Sequence, residues 1–163
     1  MYVKYKKYID DLDKFYDKSN IFKEENYVLE SGHTMLVEYY KVQNHPNITK
    51  ATIYNRMDKN LIELKRNYSN FPFTCIRHSN AFYYLICGEE YQGFTVLNLE
   101  TFKKNNHTSL SCYKRKGFCP YEWTYEKINN MLYVVGCDYF GEEKNLSYDF
   151  EFPDAIKLHK YRV

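Results

Sequence analysis

The chain has 163 residues, 44% hydrophobic and 27% charged, the composition of a single soluble domain (1–163) long enough to bury a core. A net charge of +2 argues against nucleic acid or a membrane surface as the principal partner, and no run of 18 apolar residues exists to span a bilayer. The opening Met1-Tyr-Val-Lys-Tyr-Lys-Lys7 lacks the apolar centre of a secretory signal, so the expected location is the cytoplasm.

In chain order, residues 4–18 come first. Tyr5, Tyr8, Ile9, Leu12, Phe15 and Tyr16 fall on one stripe at helical spacing, with lysines and aspartates mostly off it, which predicts an amphipathic N-terminal helix. Residues 20–32 are polar and end at Ser31-Gly32, as a connector would. From His33 onward the chain reads as strand and turn. The expected strands are 33–41, 49–56, 60–66, 72–77, 81–87, 93–99, 110–114, 121–127, 131–137, 145–150 and 155–162, with hairpin turns at 57–60, 88–93 and 126–130.

A repeat underlies these strands. Leu36, Leu85 and Val134 fall 49 residues apart, each inside an apolar strand that runs through a turn into a second strand. A period of that length is the mark of stacked or radially arranged sheets. The expected fold is therefore mainly β, with three blade-like antiparallel β repeats over 33–163. They would form an open propeller-like array, a ring completed by a second chain, or a sandwich. The 19 tyrosines and 11 phenylalanines against one tryptophan fit half-buried pleated surfaces. Three such units leave sheet edges, and the N-terminal stripe offers a cap, so a homodimer is expected.

Lys outnumbers Arg 18 to 5 and Ala occurs three times, a codon bias that points to an A/T-rich genome: a low-GC bacterium, a protist, a phage or a large DNA virus. For a viral protein the location becomes the host cytoplasm. The five cysteines form no Cys-x-x-Cys pair and read as small buried hydrophobes.

Gly88-Glu-Glu-Tyr-Gln-Gly-Phe-Thr95 followed by an apolar strand, then Gly117-Phe-Cys119, Trp123-Thr-Tyr125 and Gly136-Cys-Asp-Tyr139, resembles uncharacterised propeller-like β-repeat proteins. The likeness covers about residues 80–153, and 33–66 weakly. It implies a β-repeat fold and no particular activity.

The candidate binding residues are Glu89, Glu90, Tyr91 and Gln92, a polar tip between Gly88 and Gly93, whose lack of a side chain frees the backbone. Trp123 and Asp138 join them if neighbouring repeats align their turns on one face. Lys103, Lys104, Lys114, Arg115 and Lys116, interleaved with Phe102 and Tyr113, have the composition of a phosphate-tracking strip, although a solvated loop has it too. His107-Thr-Ser109 matches an element that paired-histidine phosphoesterases use twice, with His33-Thr-Met35 as an imperfect second copy. No phosphate loop, zinc-helix motif or nucleophile elbow is present, so neither cofactor nor metal is expected. The leading reading is a non-enzymatic interaction module that binds a protein or small ligand through its turn face. The alternative is a small phosphoesterase or nucleotide-binding protein using His107 and His33.

Overall fold

The computed structural model describes residues 12–55, 60–66, 68–89, 94–107, 118–138, 142–152 and 156–159. These residues hold twelve strands in three four-stranded antiparallel sheets. The first sheet comprises β1 (Ile21–Val28), β2 (Thr34–Val42), β3 (His45–Tyr54) and β4 (Leu61–Arg66). The second comprises β5 (Phe73–His78), β6 (Phe82–Gly88), β7 (Phe94–Asn98) and β8 (Lys103–His107). The third comprises β9 (Phe118–Glu126), β10 (Met131–Asp138), β11 (Glu143–Asp149) and β12 (Ile156–His159). Each is a meander in which every strand pairs with its neighbour in sequence. Leu36, Leu85 and Val134 lie in β2, β6 and β10, the second strand of each sheet, so the 49-residue spacing corresponds to one sheet per repeat.

Local chemistry sets the turns. Val42 pairs with His45 across a two-residue turn in which Asn44 takes φ 58, a left-handed conformation that asparagine tolerates. The turn from β9 to β10 ends at Asn130, φ 55, and the Glu126 carboxylate accepts hydrogen bonds from the amides of Ile128 and Asn129. Asn55 N–H donates to Asn60 O at 2.8 Å and closes the β3–β4 hairpin, whose tip at 56–59 lies outside the described residues.

Strand alternation divides the core into two layers. Between the first and second sheets, Met35, Val37, Ala51, Ile53 and Leu64 meet Phe71, Leu85, Cys87, Leu97 and Leu99. Between the second and third, Ile76, Ile86, Phe94 and Val96 meet Leu132, Val134, Leu146, Tyr148 and Phe150. Leu85, Ile86 and Cys87 are consecutive and all 0% exposed, because the middle sheet is covered on both faces. A third, smaller cluster lies on the outer face of the first sheet. There Leu12, Phe15, Tyr16 and Ile21 cover Tyr40, Val42 and Ile48.

Three expectations are corrected. Residues 4–11 of the expected helix lie outside the described residues. Leu12 is helical, and beyond it the expected helix gives way to two three-residue 3-10 turns, Asp13–Phe15 and Lys18–Asn20. Tyr16 leaves helical geometry at φ −76, ψ 61, and the Asp17 carboxylate accepts from the backbone and hydroxyl of Ser19, which diverts the chain from a helix. The expected connector at 20–32 contains β1, so the sheet region begins at Ile21 and not at His33. The fourth strand of the second sheet is Lys103–His107, within the span read as a basic loop, while 110–114 lies outside the described residues.

Candidate functional site

At the turn end, Gly88 closes β6 and Glu89 follows it. Gly88 has an ordinary backbone; its role is to leave space, since a Cβ there would lie 2.1 Å from Arg66 Nη1 and 3.0 Å from Pro120 Cγ. Arg66, Gly88 and Pro120 belong to the first, second and third sheets, so all three meet at this end of the stack.

Glu89 is turned inward. The Thr95 hydroxyl donates to its Oε2 at 2.6 Å, and Lys104 Nζ lies 3.1 Å from its Oε1. One residue of the expected tip and one of the expected basic strip therefore neutralise each other. Lys103 is exposed on β8. Glu90, Tyr91, Gln92, Lys114, Arg115 and Lys116 lie outside the described residues. Asp138 ends β10, opposite Phe118. Trp123 sits opposite Val134, its ring edge-on to Phe94 at 6.1 Å and half-buried against the second core layer.

His33 precedes β2. Its Nδ1 is 2.8 Å from Ser31 Oγ and its ring stacks on Phe102 at 6.1 Å. Partial burial holds its imidazole below the ordinary value, which favours the neutral ring. His107 ends β8, five residues beyond Phe102 along an extended strand, or roughly 16 Å of chain. The backbone thus places His107 at the far end of β8 from Phe102, beside which His33 lies.

A site that the sequence reading missed lies on the outer face of the first sheet. A cleft of about 770 Å³ is lined by Tyr16, Lys18, Ile21, Glu24, Leu36, Glu38, Tyr40, Lys50, Thr52, Tyr54, Leu61 and Glu63. Register explains its composition. One rung across the four strands runs Glu24, Glu38, Lys50, Lys65, and the next runs Asn26, Leu36, Thr52, Glu63. The segment 13–20 forms one wall, held where the Tyr16 hydroxyl contacts the carbonyls of Thr49 (3.2 Å) and Arg66 (3.1 Å). Tyr16 also meets Tyr40 edge-on at 5.2 Å.

The electrostatics of the cleft are acidic. Glu24 stands directly opposite Glu38, a like-charge pair that costs stability. Lys50 Nζ lies 3.9 Å from Glu38 and 3.8 Å from Glu63, shared between two carboxylates, and 5.7 Å from the centre of the Tyr40 ring. Burial first, then Glu38, pushes the Tyr40 hydroxyl well above the ordinary tyrosine range, so it stays protonated and can donate. Aromatic walls around partly desolvated carboxylates suit an organic cation. Among the described residues no group of three or more His, Cys, Asp and Glu is arranged to hold a metal. No helix among them is long and apolar enough to cross a membrane.

The signal for this cleft was present but dispersed. Glu24, Glu38 and Lys50 are far apart in sequence and become one rung only when strand register is known, and β1 was not recognised as a strand. No protein-family model matches this chain, and no curated protein matches it.

Proposed function

We propose that this protein is a non-enzymatic interaction module of three blade-like sheets in an open, propeller-like array, which takes a basic segment of a protein partner in the cleft on its first sheet. The observation that carries the reading is the Glu24–Glu38 juxtaposition beside Glu63, with Tyr16, Tyr40 and Tyr54 as walls. A lysine or arginine side chain from the partner would relieve the like-charge pair and stack on the exposed Tyr54 ring, while its stem covers Leu36 and Leu61. The turn end is a weaker candidate because Glu89 is already satisfied by Thr95 and Lys104. A homodimer is not needed to cover the described part of the N-terminal stripe, since Leu12, Phe15 and Tyr16 pack on their own chain.

The test is a titration of the intact protein with fluorescent peptides that share an aromatic-rich sequence and differ only in carrying lysine, arginine or glutamate. The basic peptides should bind and weaken with added salt, and the acidic one should not. Replacing Glu24 and Glu38 together by Gln should weaken binding about tenfold or more, equivalent to about 1.4 kcal/mol. Equal binding of basic and acidic peptides, or no effect of the double replacement, would overturn the proposal.

A further inference from the structure

In the third sheet, Cys137 of β10 and Cys119 of β9 are direct cross-strand partners. Antiparallel partners have Cα atoms about 4.5–5.5 Å apart, inside the about 4.4–6.8 Å that a disulfide spans. We propose that Cys119 and Cys137 are a redox site that closes to an intramolecular cross-strand disulfide on reaction with a low-molecular-weight disulfide such as oxidised glutathione.

The pair stands apart from the other described cysteines. Cys75 and Cys87 lie on adjacent strands but out of register, facing Leu85 and Phe73 respectively. Cys87 is fully buried in the first core layer, Cys75 packs against that layer, and burial raises both thiols, Cys75 to about 11. Thiols held protonated in a core exchange slowly. Cys137 is only half-buried, near the end of its strand, just beyond the point where the register shifts between Val135 and Gly136. A shift in the ladder gives the backbone latitude to adjust to the bond.

The chemistry balances without another reactant. One cysteine thiolate attacks the small disulfide, forms a mixed disulfide and expels one small thiolate, which takes up a proton. The second cysteine thiolate then attacks the protein sulfur of that mixed disulfide and expels the second small thiolate. The two cysteines lose two electrons and two protons in all, and the small disulfide is reduced to two thiols. The product clamps the first residues of β9 to the end of β10, beside Pro120, where the three sheets meet.

The full-length protein would be equilibrated in buffers of reduced and oxidised glutathione, quenched in acid, alkylated, weighed intact and mapped by digestion. The expected product is lighter by two hydrogens, keeps three of the five thiols free, retains no glutathione and yields one linked Cys119–Cys137 peptide pair. C119S and C137S should each stop at the mixed disulfide and carry one glutathione on the remaining cysteine of the pair. The mapping of the unsubstituted protein is decisive even if a variant folds poorly. Wild-type protein that retains glutathione on both cysteines, links either one to Cys112, or keeps five free thiols under conditions that oxidise a simple dithiol would overturn the proposal.

Discussion

Gly88 has no room for a side chain. Gly88→Ala would push a methyl group against the Arg66 guanidinium, itself only 1% exposed, and against Pro120. Overpacking of this kind typically costs about 1–3 kcal/mol, and a urea midpoint equal to wild type would show that Arg66 moves freely. Glu25 provides a pH-dependent residue. Hydrogen bonds from the Tyr27 and Tyr39 hydroxyls hold its carboxyl at about 2, below its ordinary 4.5. A group whose folded value is depressed stabilises the fold above the unfolded value and loses that contribution as pH falls toward the folded one. The stability difference between wild type and Glu25→Gln should therefore be full above about pH 4.5 and shrink as pH drops toward 2. Paired denaturant titrations across that window would detect it, and a constant difference would exclude the linkage.

At the scale of the element, β6 gives the sharpest test. Leu85 and Ile86 point to opposite faces, each into a different core layer. Leu85→Ala and Ile86→Ala should each cost about 2–5 kcal/mol, as cavities in packed cores do. In a sheet with one wet face, one of the two would be nearly neutral. The central strands were legible in the sequence because two-sided or alternating burial writes itself as runs such as Phe82–Gly88 and Met131–Asp138. The edge strands were not. Ile21–Val28 carries Lys23, Glu24 and Glu25 in succession, and Lys103–His107 is wholly polar, since edges are kept charged against unwanted pairing. Two edges read as connector and loop, and the cleft lost its first wall with β1. The inward turn of Glu89 was equally invisible, because its partners Thr95 and Lys104 sit on two later strands.

Across the whole molecule, the two core layers share one sheet. Amide hydrogen exchange should be slowest at Leu85–Cys87 and at Val96 and Leu97, whose side chains are enclosed from both sides, and fastest in β1 and β12 at the outer edges. Uniform protection across the three sheets would argue against a stack held together through its middle layer. The same arrangement has a kinetic consequence. Every strand pairing in the described chain joins neighbours in sequence. A β protein wired this way closes short loops first and should fold faster than a sandwich of equal size with long crossovers. Synthesis would then set the order of assembly. The first sheet can complete its four strands, and take the 12–20 segment onto its outer face, before the second sheet has left the ribosome. The second sheet gains one covered face on docking and must wait for the third to cover Ile86, Phe94 and Val96. During that interval the nascent chain presents its stickiest surface, and this is the stage at which a chaperone would be expected to engage it.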